Sequence, residues 1–324
     1  MSVKDVYYLV IVLLIKVNGW FSSPRLRKFT VSSIVFLAYR FSTKKRRIIE
    51  KNLSKAFDDG LNEEQRQGII KGAFGEFWLD MFLWLPSDLD RDEFAKAEFR
   101  GIEYLQKALE NGKGVILWES NGFGKKLASK HILGQNGFSI CQVHGVNHLW
   151  GFLTENSPDT WVRHLVINRF FENCEKQFIN EIINLPDSNS LAFTRLLLDR
   201  LKRNAIICIS GDGKDGQKLI PLRFLGQTDF FSTGMVSLAK TSGATILPMF
   251  CVAGKDGRTS LIIERPIHTN TDADREHALE NSVAEYVGLL EAYIRRYPEQ
   301  YRNWHLVGNS PEVQRLKNSQ EVMV

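Results

Sequence analysis

The stretch Gly114-Val115-Ile116-Leu117-Trp118 is an apolar run that follows the turn signal Asn111-Gly112. A short apolar run bounded by turn residues is typical of a strand that is buried on both faces. Similar runs recur further along the chain, at 138–143, 205–209, 245–250 and 261–263. The sequence therefore predicts at least five short, buried strands.

Helical patterns separate these runs. They lie at 125–133, 191–202 and 233–241, and a long apolar stripe at helical spacing follows at 279–294. Strands that alternate with helices predict an α/β fold with a largely parallel central sheet flanked by helices. In such a sheet the ligand site lies beyond the carboxyl ends of the strands. The residues that follow each predicted strand are thus the candidates for function.

The N-terminal part of the chain is apolar and then basic. Runs at 6–15 and 29–41 precede the cluster Lys44-Lys45-Arg46-Arg47. Neither run reaches the roughly 20 apolar residues that span a bilayer, and no signal-peptide cleavage site follows. Because the basic cluster suits an anionic cytoplasmic leaflet, we expect a monotopic anchor or a short, tilted membrane helix at the cytoplasmic face of the inner membrane. A buried core helix is the alternative.

The composition is that of a folded protein, with 44% hydrophobic and 24% charged residues among 324. We divide the chain into an N-terminal membrane-associating segment (1–43), a helical region (44–98), an α/β domain (99–310) and a flexible tail (311–324). The net charge of +5 suits a surface that faces anionic lipid or an acidic carrier protein. The scattered cysteines predict buried, reduced thiols: Cys141, Cys174, Cys208 and Cys251.

Several segments between Arg46 and His305 resemble, in order and spacing, the bacterial lipid A late acyltransferases. They are Arg46-Arg47 with Asn52-Leu53 and Ala56-Phe57; Gly101 to Leu117; Leu201 to Asp212; Arg223-Phe224-Leu225-Gly226 with Thr233-Gly234 and Pro248; and Tyr297-Pro298-Glu299-Gln300-Tyr301 with Trp304-His305. The resemblance implies an α/β acyltransferase-like domain. It also implies a fatty acyl donor, either acyl carrier protein or coenzyme A.

In that family a histidine at the end of the first strand removes the proton of the acceptor, and an acidic residue five positions later orients it. Aligned from Gly114, this chain has Asn121 and Lys126 at those two positions, and none of its seven histidines has Asp or Glu five residues on. An amide cannot accept a proton at neutral pH. Asn121 can still donate a hydrogen bond to a thioester carbonyl or an oxyanion.

The strand end offers replacements for the missing base. Glu119 is the first candidate, because partial burial could raise its pKa toward neutrality, and His144 after the next predicted strand is the second. Lys125 or Lys126 could pair with Glu119 or bind an acidic headgroup or a carrier phosphate. A backbone N–H at the start of the following helix could stabilise the oxyanion. Alternatively, Glu119 only forms a salt bridge across the turn.

The glycines and a second loop admit two interpretations each. Gly122 and Gly124 either border the substrate or only allow a tight strand–helix connection. The loop 211–216 has neither P-loop spacing nor a calcium-ligand series. Asp212 and Lys214 in it either shape the acyl or headgroup pocket or belong to a plain turn, and Arg223 contacts a phosphate or only caps the sheet.

The sequence therefore predicts a membrane-associated acyltransferase-like protein with a non-standard site. Its acceptor is a lipid or another hydroxyl or amine compound, and it needs neither a cofactor nor a metal. We expect a monomer that binds membrane lipid and no nucleic acid. The alternatives are an inactive homologue that holds acyl chains or a carrier protein for a partner enzyme, and a soluble α/β protein whose N-terminal apolar runs belong to the core.

Overall fold

A computed structural model describes residues 24–84, 97–144, 176–185, 191–212, 218–269 and 275–309, with single positions between 6 and 17 and at 169 and 173. The predicted flexible tail (311–324) lies outside these residues. Of the four cysteines, Cys141, Cys208 and Cys251 are buried free thiols as predicted. Cys174 is outside the described residues.

Three helices form the N-terminal region: α1 (Pro24–Phe41), α2 (Thr43–Phe57) and α3 (Glu63–Trp84). Helix α3 begins with a reciprocal cap, in which Asn62 Oδ1 accepts from Gln65 N and Gln65 Oε1 accepts from Asn62 N, both at 2.9 Å. Among the described residues, no helix has both the length and the apolar composition that crossing a membrane requires. Of the predicted helical region 44–98, the described part consists of α2 and α3 with a short connection between them.

The α/β domain follows, with its elements in this order: β1 (Glu98–Arg100), α4 (Ile102–Glu110), β2 (Val115–Glu119), α5 (Lys126–Gln135), β3 (Ile140–His144), β4 (Glu181–Asn184), α6 (Leu191–Lys202), β5 (Ile206–Ser210), β6 (Leu219–Phe224), β7 (Gln227–Ser232), α7 (Gly234–Ser242), β8 (Thr245–Ala253), β9 (Thr259–Ile263), α8 (Arg275–Arg296) and a 3₁₀ turn (Pro298–Gln300).

Seven of these strands form the central sheet, in the order β1-β9-β8-β2-β5-β3-β4. Every neighbouring pair is parallel except β8–β9, which is antiparallel. The predicted α/β fold with a largely parallel central sheet flanked by helices is confirmed. Strand β2 lies in the middle, between β8 and β5, so its carboxyl end is central in the molecule.

Apolar side chains cover both faces of the sheet. On one face Ile116 and Trp118 of β2 pack with residues of α7 and α8, and Trp118 stacks on Tyr286 of α8 with ring centroids 4.1 Å apart. On the other face Val115 and Leu117 pack with residues of α4 and α5. This alternation places the side chain of the next residue, Glu119, on the α5 face.

A separate antiparallel hairpin, β6–β7, lies outside the central sheet. Its two-residue turn is Leu225-Gly226, with φ of 50° and 76°. Positive φ at both turn positions matches the right-handed twist of hairpin strands. The segment Arg223-Phe224-Leu225-Gly226, which resembles the lipid A acyltransferases, therefore forms the tip of a hairpin.

Candidate functional site

The loop 120–125 joins β2 to α5 at the carboxyl edge of the sheet, and Asp212 shapes it. Asp212 lies two residues beyond the end of β5, next to β2. Its carboxylate accepts from Ser120 Oγ at 2.5 Å, from Asn121 N at 2.6 Å and from Gly122 N at 3.0 Å. Asp212 therefore contributes to the site by fixing the loop.

The remaining backbone N–H groups of the loop also have acceptors. That of Phe123 donates to Ser120 Oγ at 3.0 Å. Those of Gly124 and Lys125 donate to carbonyls of the 3₁₀ turn and of β8, at 3.0 and 2.8 Å. The N–H groups of residues 121–125 are therefore engaged within the protein, and an oxyanion contact at the start of α5, from Lys126 onward, stays a prediction.

The two glycines of the loop allow close packing. Gly124 has a φ of +72°, and a Cβ there would overlap the carbonyl oxygen of Cys251. A Cβ on Gly122 would lie 2.6 Å from Asn303 Nδ2 and 2.7 Å from the Tyr301 ring. Both glycines thus serve the tight strand–helix connection.

Glu119 is buried and ion-paired. Its side chain accepts from Gln142 Nε2 at 2.9 Å, lies 3.3 Å from Lys126 Nζ and forms an ion pair with Lys130. Burial alone would raise the pKa of Glu119, but the two lysines and Gln142 lower it to about 2. The predicted upward shift is wrong. A carboxylate with this pKa is a poor proton acceptor at neutral pH, so the salt-bridge alternative describes Glu119 better.

The amide nitrogen of Asn121 points away from Glu119 and the two lysines that pair with it. Its Oδ1 accepts from Lys126 Nζ at 2.7 Å and from Ser210 Oγ at 2.8 Å. Because an ammonium group only donates hydrogen bonds, the atom that faces Lys126 is the oxygen. Nδ2 therefore points elsewhere, and it has no acceptor within the described part of the chain. The side chain of Asn121 is half-buried.

Lys125 forms a different ion pair from the one predicted. Its Nζ lies 2.6 Å from Glu76 Oε1 of α3, and both side chains are buried. Lys126 does pair with Glu119, as one of the alternatives held. Since the Lys125 ammonium is enclosed with a carboxylate, the expectation that it binds an acidic headgroup or a carrier phosphate is not supported.

His144 lies at the same sheet edge but one strand further away than expected. Strand β5 separates β3 from β2. The register pairs Glu119 with Ser210, and Gln142 with Cys208, so His144 is level with Ser210. Side chains alternate along strands, and these residues therefore share the α5 face. With strands about 4.8 Å apart, the imidazole is one strand from Ser210, and His144 is buried.

The remaining predicted residues lie elsewhere. Lys214 and the rest of 213–217 are outside the described residues. Arg223 is exposed on β6 opposite Thr228, so it is part of the hairpin and does not cap the central sheet. No contact joins its side chain to the loop among the described residues.

Three residues that contact Asn121 or Glu119 were not predicted: Ser210, Lys130 and Gln142. Ser210 ends β5 on the face of Glu119, and its place beside Asn121 follows only from the strand order. Lys130 is four positions after Lys126, which puts both lysines on one face of α5. That spacing was visible in the sequence, but buried lysines are rare, and Lys130 is 1% exposed.

Residues 155–306 match the family model described as bacterial lipid A biosynthesis acyltransferase. The match covers slightly less than half of the chain and supports the suspected family over that segment. The match supports a general acyltransferase activity. It begins after loop 120–125, so it does not include Asn121 and Lys126. No curated protein matches the chain.

Proposed function

We propose that the chain is a membrane-associated acyltransferase at the cytoplasmic face of the inner membrane. It moves a fatty acyl group from acyl carrier protein or coenzyme A to a hydroxyl or amine acceptor, such as a lipid. The family match over 155–306 supports acyl transfer. The observation that carries the site assignment is the orientation of the Asn121 amide by Lys126 and Ser210.

In this proposal Asn121 Nδ2 donates a hydrogen bond to the carbonyl oxygen of the thioester. The bond strengthens as the acceptor attacks and negative charge develops on that oxygen. The thiolate then leaves and the acyl group remains on the acceptor. Lys126 acts as a positioning residue, because its ammonium group decides which end of the Asn121 amide faces the substrate.

His144 is the candidate proton acceptor. With Glu119 held ionised by two lysines, His144 is the imidazole that the register places at the same edge, level with Ser210. An amine acceptor with a reactive thioester would tolerate a weaker base than a hydroxyl acceptor, and loss of a general base typically costs about 10²–10⁴ in rate.

Exposed apolar side chains support membrane association. On α1 they are Phe29, Phe36, Leu37 and Phe41, and at the single described positions before it Val6, Val10 and Leu13. The basic residues Lys44, Arg47, Lys51 and Lys55 recur three or four positions apart along α2, and all four are exposed. Apolar and basic side chains in succession suit the surface of an anionic bilayer.

One observation favours the alternative of an inactive acyl-chain or carrier-protein binder. Within residues 119–126, all of which the structure describes, the only carboxylate is that of Glu119, and it is ion-paired with two lysines. The other polar side chains of this segment are amides, hydroxyls or ammonium groups. None of these accepts a proton at neutral pH. A binder would hold the thioester at Asn121 without turning it over.

The test is Asn121→Asp in an assay that follows a labelled acyl group from acyl-CoA, or from acyl carrier protein, to added acceptors. Aspartate keeps an oxygen for Lys126 and Ser210 but removes the donor, so kcat should fall about 10²–10³-fold while the thermal unfolding midpoint stays at or above that of wild type. Asn62→Asp is the matched control, since its carboxylate preserves the exposed helix cap.

Unchanged kcat in Asn121→Asp would remove Asn121 from the mechanism. A wild-type protein that binds the labelled chain without transfer would identify the binder. His144→Gln tests whether His144 is the general base. Loss of acyl transfer at neutral pH with partial recovery at higher pH supports this role, whereas unaltered transfer excludes it.

A further inference from the structure

A groove between α1 and α3 lies apart from the loop 120–125. Its volume is about 380 Å³, within the range of small-molecule sites. The lining residues are Val31, Ser32, Val35, Phe36, Tyr39, Lys71, Gly72 and Gly75. A Cβ on Gly72 would lie 2.6 Å from the Glu299 carbonyl oxygen, and one on Gly75 would lie 3.1 Å from Val35. The two glycines therefore allow α3 to pack closely against the 3₁₀ turn and α1, and most of the other lining residues are apolar.

One end of this groove is cationic. The Arg46 guanidinium lies over the Tyr39 ring at 4.6 Å and Lys71 Nζ approaches the same ring at 5.8 Å. Lys45 Nζ lies 5.2 Å from the neighbouring Phe74 ring. In the described part of the chain no carboxylate pairs with Arg46 or Lys71, and the buried Nε of Arg46 has no acceptor. Positive charge without a carboxylate partner favours an anion at this end.

The apolar wall continues onto an exposed surface. Phe36 lines the groove and is still 67% exposed, and Phe41 on the same helix is 77% exposed. Large exposed apolar side chains beside a groove mark contact with a membrane or another protein. An apolar groove with an exposed apolar rim and a cationic end fits a lipid with an anionic headgroup that enters from a bilayer.

We propose that this groove binds one anionic phospholipid of the membrane. One acyl chain lies along Val35 and Phe36, and the phosphate lies at the cationic end, near Lys71. The proposal rests on the membrane association proposed above, but it does not depend on acyl transfer. It assigns α3 two contacts, one with the lipid through the groove and one with the loop 120–125 through the Glu76–Lys125 ion pair.

The experiment uses the full chain in phosphatidylcholine nanodiscs that contain a trace of photoreactive phosphatidylglycerol or photoreactive phosphatidylcholine, with the label on the acyl chain. Labelled peptides are mapped by mass spectrometry. We expect the glycerol lipid to label groove residues in preference to the choline lipid. Replacing both cations, Arg46→Gln with Lys71→Gln, should lower this labelling about 30-fold.

Ser32→Trp should fill the exposed mouth of the groove and reduce labelling by both lipids. Ser33→Trp, one position away and outside the lining, is the matched control, and Lys51→Gln controls for the loss of exposed charge on α2. Circular dichroism of each variant shows that the fold is kept, and acyl transfer is measured on the same samples, so the two proposals can fail separately.

Three results would overturn the proposal: equal labelling by the two lipids, labelling that Ser32→Trp does not reduce, and displacement of the probe by soluble acyl-CoA. The last outcome would assign the groove to the acyl donor.

Discussion

Replacing Glu119 with glutamine should destabilise the fold, and this outcome separates a structural carboxylate from a catalytic one. The side chain is 3% exposed and lies between Lys126 and Lys130. Glu119→Gln keeps its size and shape but removes the negative charge, which leaves two buried ammonium groups without their counter-ion. Such uncompensated charge typically costs about 3–5 kcal/mol.

The pKa of Glu119 gives a similar magnitude. It falls from 4.5 in the unfolded chain to about 2 in the folded protein. A difference of that size corresponds to about 3 kcal/mol of folding free energy at neutral pH. For a chain of this length that loss lowers the thermal midpoint by about 4 °C, provided that the chain unfolds as one unit.

The contribution of Glu119 to the free energy of unfolding depends on pH. Because the folded pKa is depressed, the stabilisation by Glu119 is fully present above the unfolded value of 4.5 and is lost as pH falls toward about 2. The difference in unfolding free energy between wild type and Glu119→Gln should therefore be largest at neutral pH. It should narrow steadily between pH 4.5 and about pH 2.

Urea unfolding, followed by tryptophan fluorescence in a mild detergent, measures this difference at several pH values. Glu103→Gln is the matched control, because Glu103 is exposed on α4 and should change stability by less than about 0.5 kcal/mol. A Glu119→Gln variant with wild-type stability at neutral pH and no acyl transfer would refute the reasoning and restore Glu119 as the base.

Three further substitutions test the packing around β2. Tyr286→Phe keeps the ring stack on Trp118 but removes the hydroxyl that donates to the Glu119 carbonyl at 2.7 Å, so urea unfolding should show a loss of about 1 kcal/mol. Gly211→Ala puts a methyl group on Trp118 Nε1 and should lower the unfolding free energy by about 1–3 kcal/mol, whereas unchanged stability would mean that the ring can shift. Gly288→Ala, in α8 with open space around it, should raise stability by about 0.5–1 kcal/mol, and a decrease would contradict the helical geometry there.

The sequence predicted the elements of the central sheet better than their arrangement. The apolar run at 114–118 became β2 (Val115–Glu119), and the run at 245–250 became the first part of β8 (Thr245–Ala253). Such runs reflect local burial, which periodicity reports directly. Strand order is set by contacts between distant residues, so the insertion of β5 between β2 and β3 could not be read from the runs themselves.

The hairpin β6–β7 was missed because its signals are weak. Its turn is Leu225-Gly226, and hairpin turns of two residues are recognised chiefly by pairs such as Asn-Gly or Asp-Gly. Leu225 adopts a φ of 50° without that preference. Its place is fixed by tertiary contacts, since it is buried and its N–H donates to Glu291 of α8 at 2.9 Å.

The sequence predicted that Asn121 and Lys126 lie together at the carboxyl edge of the sheet, but it did not predict the contacts of Glu119. A polar loop after a buried central strand identifies the carboxyl edge, and Asn121 and Lys126 do meet there. The direction in which the pKa of Glu119 shifts could not be predicted from the sequence, because burial raises the pKa and the two lysines lower it. Only the distances show that the lysines prevail.

Asn121 and Lys126 stand where the resemblance implies a histidine and an acidic residue, and their side chains form one hydrogen-bonded pair. An imidazole at 121 needs a carboxylate at 126 to orient it and to stabilise its protonated form. Beside the Lys126 ammonium an imidazole would be harder to protonate, whereas an amide presents its oxygen to the lysine and its N–H groups to the opposite side. Lys126 in turn requires the buried Glu119 as its counter-ion. In the proposed site Asn121 therefore supplies a hydrogen-bond donor for developing negative charge, and His144 is the candidate proton acceptor.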